Sequence, residues 1–292
     1  MYVERDTLGS HVYTSRANGS VVRQLTFGRE VATGPVWSPD GRTILFERRS
    51  GRYNVTSDLW RVNVDGSGAY PLTHDGRSSL GYLHSTWSPD STRIAFVSCE
   101  GRKCQTRVQD IFVMSATGGP RRRITWSGDN NSPSWSPDGR WIAYYNARGR
   151  PLDLSSSAEL FVVRPDGRGR RNVSQSKRRE LQLSGNESGI SWSPDGRWIA
   201  FDADDTQFVP RDERLGEVIV ELWLVRPDGT GAHALLRPAA GPLAQNHLPQ
   251  WSPDGRELAS ARLYVQPGTQ GDLYGSIHVV RADGTHARRL TY

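Results

Sequence analysis

Three titratable side chains, His84, Glu187 and His247, stand three to five residues ahead of a Trp-Ser-Pro-Asp string. Brought together, imidazole and carboxylate could exchange protons with a substrate as general acid and base. Two imidazoles with one carboxylate could also hold a metal ion. Tyr82, Asn130, Asn131 and Asn246 occupy matching positions in the same stretches, and offer neutral donors and acceptors suited to a polar ligand or a peptide backbone. A second concentration is Asp202-Ala203-Asp204-Asp205. Hard cations take several carboxylate oxygens, so Asp202, Asp204 and Asp205 are a candidate cation site and calcium a candidate cofactor. The stretch lacks the glycine and the distant glutamate of an EF-hand loop, and Arg211 and Arg214 could neutralise it instead. Cys99 and Cys104 are separated by Glu-Gly-Arg-Lys. That spacing is wrong for a CxxC redox pair, and no second pair completes a zinc site. Across a tight hairpin the two thiols could form a disulfide stabilising by roughly 2 kcal/mol in the chain-entropy model; a bridge would imply an oxidising compartment. For nucleophilic catalysis there is no Gly-x-Ser-x-Gly elbow, and no catalytic residue is assigned.

Composition narrows the classes that could use these groups. The 292 residues carry 37 Lys and Arg against 31 Asp and Glu, a formal net charge of +6, and all but Lys103 and Lys177 of the basic residues are arginine. The denser basic runs, Arg121 to Arg123, Arg168 to Arg171 and Lys177 to Arg179, are scattered along the chain and read as solvated surface charge. No nucleic-acid partner is expected, because basic residues are not interleaved with exposed aromatics. With 36% hydrophobic and 23% charged residues, the composition is neither disordered nor membranous. No apolar run approaches the roughly 18 residues of a transmembrane helix. Met1-Tyr2-Val3-Glu4-Arg5 lacks the apolar core of a signal peptide. The expected location is extracytoplasmic if a native leader has been removed, and cytoplasmic otherwise.

The elements that must position the candidate residues are repeated. Trp-Ser-Pro-Asp recurs with Trp at 37, 87, 135, 192 and 251. A strand-like run follows each copy, such as Ile94-Ala95-Phe96 or Ile199-Ala200-Phe201. Further on comes a second run, such as Ile111-Phe112-Val113-Met114, then usually Asp-Gly, then a short run such as Leu72-Thr73 or Ile124-Thr125. With the stretch leading into Trp as strand a, the unit reads a-b-c-d. The first 28 residues fit from b onward, giving six b, c and d strands but five a strands. A four-stranded unit repeated about every 50 residues is a propeller blade. The expectation is an all-β, six-bladed β-propeller with four-stranded antiparallel blades. It forms a single domain over 1–292, with blades near 1–28, 29–74, 75–126, 127–175, 176–237 and 238–292. The first blade lacks its innermost strand, which leaves an unpaired edge; a fragment, a three-stranded blade, or a strand from a neighbouring chain would each account for it.

The five Trp-Ser-Pro-Asp strings, with Ile-Ala-Phe after them and Asp-Gly then Leu-Thr at the end of the unit, resemble the β-propeller repeats of the TolB family across essentially the whole chain. The resemblance is specific for fold and weak for function, because similar repeats occur in periplasmic scaffold proteins, in propeller halves of prolyl-oligopeptidase-type peptidases and in some polysaccharide lyases. The tryptophans and aspartates of the repeats are read as architecture, with Trp packed between blades and Asp accepting backbone N–H bonds in the a–b turn. Function is expected where the blades differ: the mouths of the a strands around a central funnel, and the long connections Ala147 to Ser157, Asp202 to Val220, Arg262 to Gly275, Gln175 to Ile190 and Arg237 to Pro249. The leading expectation is a non-enzymatic protein- or peptide-binding scaffold. The resemblance implies a bacterial cell-envelope setting for it. The alternatives are a hydrolase or lyase acting on a peptide or polysaccharide at the same funnel, or the propeller part of a longer multidomain protein.

Overall fold

Each Ile-Ala-Phe-type run is β-branched and aromatic and lies between a Pro-Asp turn and a second apolar run, so its residues favour a paired strand over any helix. The computed structural model describes residues 1–5, 9–16, 18–29, 31–50, 56–74, 84–98, 109–126, 128, 130–146, 159–174, 189–204, 220–236, 244–265 and 273–291, and every regular element among them is a strand. In chain order the first cassette holds β1 (Tyr2–Arg5), β2 (Ser10–Thr14) and β3 (Arg23–Gln24). The second holds β4 (Val31–Trp37), β5 (Thr43–Ser50), β6 (Thr56–Asn63) and β7 (Tyr70–Pro71). The third holds β8 (Thr86–Trp87), β9 (Arg93–Ser98), β10 (Asp110–Ser115) and β11 (Arg122–Arg123). The fourth holds β12 (Asn130–Trp135), β13 (Ile142–Asn146), β14 (Glu159–Val163) and β15 (Arg171–Asn172). The fifth holds β16 (Ile190–Trp192), β17 (Ile199–Asp204), β18 (Val220–Val225) and β19 (His233–Leu236). The sixth holds β20 (Ala244–Trp251), β21 (Glu257–Val265), β22 (Leu273–Arg281) and β23 (Arg288–Arg289). The a-b-c-d pattern thus recurs as expected, with three strands in the first cassette.

Two compact units are present, Met1–Trp135 with Pro165–Gly167, and Ser136–Arg164 with Arg168–Tyr292. In the first unit β1-β2-β3 and β4-β5-β6-β7 are antiparallel, and one parallel bridge, Ser10 to Val31, joins β2 to β4. β8-β9-β10-β11 is antiparallel as well. In the second unit β13-β14-β15, β16-β17-β18-β19 and β20-β21-β22-β23 follow the same order. The single parallel bridge between Val220 and Gln245 joins β18 to β20.

The repeated strings act locally. In Trp37-Ser38-Pro39-Asp40-Gly41 the Ser38 hydroxyl donates to Asp40 Oδ1 at 2.6 Å, and the amides of Arg42 and Thr43 donate to Asp40 Oδ1 and Ser38 Oγ at 3.0 and 2.9 Å. Gly41 closes the turn at φ 69°, a left-handed conformation that a glycine adopts without strain. The same bonds recur at Ser136-Asp138, Ser193-Asp195 and Ser252-Asp254. At the other end, in five of the cassettes a Thr or Ser closing the d strand receives the amide of an apolar c-strand residue. Val12 N bonds Thr26, Leu59 N bonds Thr73, Ile111 N bonds Thr125 and Ile277 N bonds Thr291 at 2.8–2.9 Å, and Leu160 N bonds Ser174 at 3.3 Å.

Aromatic rings stack across b and c in the first, third and fourth cassettes, Tyr2 with Tyr13, Phe96 with Phe112 and Tyr144 with Phe161, with centroids 5.5–6.0 Å apart. The repeat tryptophans bury as expected: Trp87 packs with Leu45 and Val36 of the preceding cassette, and Trp192 with Ala143 and Tyr145. Trp37 differs, at 36% exposure against 5–7% for Trp87, Trp135, Trp192 and Trp251. Three connections are shorter than the sequence suggests. Asp202, Ala203 and Asp204 pair with Leu222, Glu221 and Val220 as strand, and β20 begins at Ala244. Arg262 to Val265 and Leu273 to Gly275, expected as part of a loop, instead extend β21 and β22 to nine residues each, in register. Leu263, Tyr264, Val265 and Tyr274 supply the β propensity.

Candidate functional site

The residues that enter the a strands share one backbone feature. The position three before the repeat Trp is Gly34, His84, Ser132 or Leu248 in four cassettes, at φ 58°, 68°, 51° and 53°. Left-handed backbone is costly for residues with a side chain and concentrates at functional or switching positions. In the second and sixth cassettes the a–b register shifts here, between Thr33 and Val36 and between His247 and Gln250. Such a bulge turns backbone groups out of the ladder and re-aims side chains. In the fifth cassette the matching residue is Gly189. A Cβ there would lie 2.7 Å from Leu248 Cα and 3.1 Å from Pro249 Cδ, so the two a-strand mouths of the second unit touch through backbone.

Beneath the mouths lie buried carboxylates that fasten the connections. Asp110 is 2% exposed. Its Oδ1 accepts from the Thr125 hydroxyl at 3.0 Å, Asn130 Nδ2 at 2.9 Å and Gly128 N at 3.3 Å, and its Oδ2 from Arg123. Glu47, also buried, accepts from Ser57 and from Arg49 Nε at 2.9 Å. In the second unit Asp202 Oδ1 accepts from Gly189 N at 2.9 Å and the Tyr145 hydroxyl at 3.1 Å. Burial, then the Asp202 charge, pushes the Tyr145 phenol well above its ordinary range and keeps it a neutral donor. An acid or histidine starts the c run in five cassettes: His11, Asp58, Asp110, Glu159 and Glu221. Sequence reasoning passed over these groups. The signal was an ionisable residue directly before an apolar run, repeated at one position.

The expected site residues therefore differ in what holds them. His84 is half-buried at the left-handed position. Asn130 is fully buried and bonds Asp110, while the half-buried Asn131 accepts the amide of the left-handed Ser132 at 2.8 Å. Asn246 and His247 lie in β20, paired with Arg262 and Ala261; their side chains, and Tyr82 and Glu187, lie outside the described residues. Of the candidate cation ligands, Asp202 is engaged as above, Asp204 is in β17 with its side chain outside the described residues, and Asp205 lies outside them. Among the described residues no three His, Cys, Asp or Glu side chains gather as a metal site. Cys99 and Cys104 also lie outside them, between Ser98 and Asp110, which are register partners. No helix is long and apolar enough to cross a membrane among those residues.

A family profile described as the TolB beta propeller domain matches residues 1–180. An uncharacterised protein of Agrobacterium fabrum is 34% identical over 270 residues, which is 89% of this chain and 76% of that protein. The uncharacterised peptidase YuxL of Bacillus subtilis is 28% identical over 203 residues, 60% of this chain and only 30% of the peptidase. The crystal structure of TolB from Acinetobacter baumannii matches with a TM-score of 0.64 at 16% identity, covering 100% of this chain and 63% of that one. At that identity the likeness speaks to the fold, a β-propeller.

Proposed function

The chain belongs to the TolB β-propeller domain family, and on that footing we propose that it is a non-enzymatic, extracytoplasmic scaffold that holds a protein or peptide segment at the mouths of its a strands. The observation that carries this reading is the left-handed residue three before the repeat Trp, present in four cassettes. In the second and sixth cassettes the a–b ladder is interrupted there, which would free backbone groups to pair with an extended chain, and the polar residues Tyr82, His84, Asn131, Glu187, Asn246 and His247 would select that chain. Buried carboxylates such as Asp110 and Asp202 hold the mouths in shape through their bonds to Asn130 and Gly189. The envelope setting rests on the family resemblance and on a Cys99–Cys104 bridge, which intact-mass measurement with and without reductant tests. For binding, Glu187 and His247 are both replaced by Ala and retention of a peptide library is measured. Retention falls at least tenfold if these side chains make contact, and unchanged retention removes the site.

A second reading is favoured by the match to YuxL, of which this chain spans 30%: the propeller part of a longer peptidase-like protein. It predicts that the propeller gates a separate catalytic domain. Labelling of the 292-residue chain itself by a serine-directed fluorophosphonate would contradict both readings.

A further inference from the structure

The third and sixth cassettes build the same d-strand frame, and the sixth lacks its acid. In the third, Arg123 Nε donates to the Thr125 carbonyl at 2.8 Å and the Thr125 hydroxyl receives the Ile111 amide. Arg123 and that hydroxyl both donate to the Asp110 carboxylate. In the sixth, Arg289 Nε donates to the Thr291 carbonyl and the Thr291 hydroxyl receives the Ile277 amide at 2.8 Å. Ser276 stands two residues before His278, the register partner of Arg289, as Asp110 stands two before Phe112, the partner of Arg123. Facing Ser276 in β21 is Arg262, at the place Arg48 holds opposite Asp58. The acid or histidine that heads the c run in the other five cassettes is thus a serine here, while two arginines remain. The neighbouring ring pair changes as well. Phe46 with Trp60, Phe96 with Phe112 and Tyr144 with Phe161 correspond to Ser260 with His278, so smaller, polar side chains occupy that place. Ser260 and Ser276 are buried, and Arg262 and His278 half-buried. Ser276 Oγ lies 3.1 Å from His278 Nε2. Burial, then the charges of Arg262 and Arg289, hold the His278 imidazole below its ordinary pKa. Cations gathered out of bulk water are costly unless a negative group joins them.

We propose that the place bounded by Arg262, Ser276, His278, Arg289 and Thr291 is an oxyanion site, which takes a carboxylate from another molecule where the other cassettes supply an acid of their own. The incoming carboxylate accepts from Arg289 and the Thr291 hydroxyl as Asp110 accepts from Arg123 and Thr125, and Arg262 adds its charge across the strand pair. Hydrogen bonds between guanidinium and carboxylate are among the strong ones. The acid of the fifth cassette that could compete is Asp204. By strand alternation it shares the β17 face of Ala200, which packs with Trp251 and Leu258 of the sixth cassette; its side chain lies outside the described residues. Glu187 and His247 take no part, so this site stands apart from the peptide reading above.

The test follows the His278 imidazole of the 292-residue chain by NMR while acetate is added at constant ionic strength, with chloride as the balancing ion. Acetate is expected to bind saturably and to raise the His278 pKa by about one unit, the direction a nearby negative charge imposes. Arg289→Gln should weaken acetate at least tenfold. Ser276→Asp supplies the acid from within, so it should abolish the acetate effect and raise the His278 pKa with no ligand present. Should Ser276→Asp fail to fold by circular dichroism, Arg289→Gln and the titration of the parent chain decide. Two blocked tripeptides, acetyl-Gly-Glu-Gly-amide and its Gln counterpart, distinguish the sources of the carboxylate. Tighter binding of the Glu peptide than of acetate assigns an acidic side chain, and weaker binding a free acid. A His278 signal that acetate leaves unmoved overturns the proposal. So does a response that Arg289→Gln leaves intact, which places acetate elsewhere, or one that appears only in the Asp204→Asn chain, which gives the place to Asp204. Unchanged library retention in the Glu187→Ala, His247→Ala chain removes the a-strand mouths alone, so the two readings fail separately.

Discussion

A methyl group at Gly189 would meet Leu248 Cα at 2.7 Å, and backbone cannot swing aside as the end of a side chain can. Gly189→Ala is therefore expected to cost about 2 kcal/mol through forced backbone shifts. Gly34→Ala meets nothing within 4 Å and is left-handed at φ 58°, so it should cost nearer 1 kcal/mol from conformation alone. Urea unfolding of the two variants separates close approach from backbone strain; equal losses would refute the distinction. Tyr145 is the second sensitive residue. Its folded pKa is raised, by burial first and then by Asp202. Stability is thus fully present below the unfolded phenol value, about 10, and is lost as pH rises beyond it toward the folded value. Tyr145→Phe should lose about 1 kcal/mol near neutrality with the hydroxyl bond to Asp202, and its unfolding midpoint should fall less steeply between pH 9 and 11 than that of the parent chain. Neither residue stood out in the sequence. Gly189 reads as any loop glycine and Tyr145 as any strand aromatic, while Asp202 reads as a cation ligand and not as the partner of a phenol, because the approach of β20 and the phenol of β13 are contacts across 59 and 57 positions, which local spacing does not encode.

At the scale of the element, identical strings have unequal worth. Trp192→Ala empties a buried position and should cost about 3–5 kcal/mol. Trp37→Ala, at 36% exposure, should cost less than half as much, and thermal or urea unfolding of the pair checks it. If the two cost the same, Trp37 is covered in solution by something the described residues do not include. The d-strand hydroxyls divide likewise. Thr125 receives the Ile111 amide and donates to Asp110, all buried, so Thr125→Val should cost about 2 kcal/mol. The equivalent bond at Thr291 is exposed, and Thr291→Val should cost only a few tenths because water replaces the partner. The strands themselves were legible. Ile-Ala-Phe between Pro-Asp and Asp-Gly is a local instruction, and it is issued in nearly every cassette. The Arg262 to Gly275 connection was misjudged because its arginine, glycines and proline mask a β-rich pattern that the hairpin between β21 and β22 uses. The candidate site was legible only as a set of positions ahead of each Trp. The left-handed residues Gly34 and Leu248 stand where the a–b register shifts, and that register is set by pairing and not by their own side chains.

For the whole molecule, repetition makes acid sensitivity collective. In the a–b turns the carboxyls of Asp40, Asp195 and Asp254 are held below their ordinary range, by the Ser hydroxyl first and the amide two residues on. Asp65 and Asp283 in the c–d turns are lowered by the neighbouring Ser or Thr hydroxyl and its amide. A depressed carboxyl contributes stability above its unfolded pKa, near 3.8 for these groups, and loses it as pH falls through the lower folded value. Each group is exposed and contributes little. Because they recur along the chain, protonation loosens many turns within one narrow range. The excess of 37 basic over 31 acidic residues then adds repulsion as the carboxylates neutralise, and salt screens that part of the effect. The expected outcome is a steep loss of urea stability between pH 4 and 2. A single Asp195→Asn change should hardly alter the slope, whereas Asp40→Asn, Asp195→Asn and Asp254→Asn together should flatten it. Asparagine keeps the acceptor oxygen and removes only the titration, so a triple variant as acid-sensitive as the parent would assign the loss to net-charge repulsion, and the same pH series in 0.5 M salt would then abolish it.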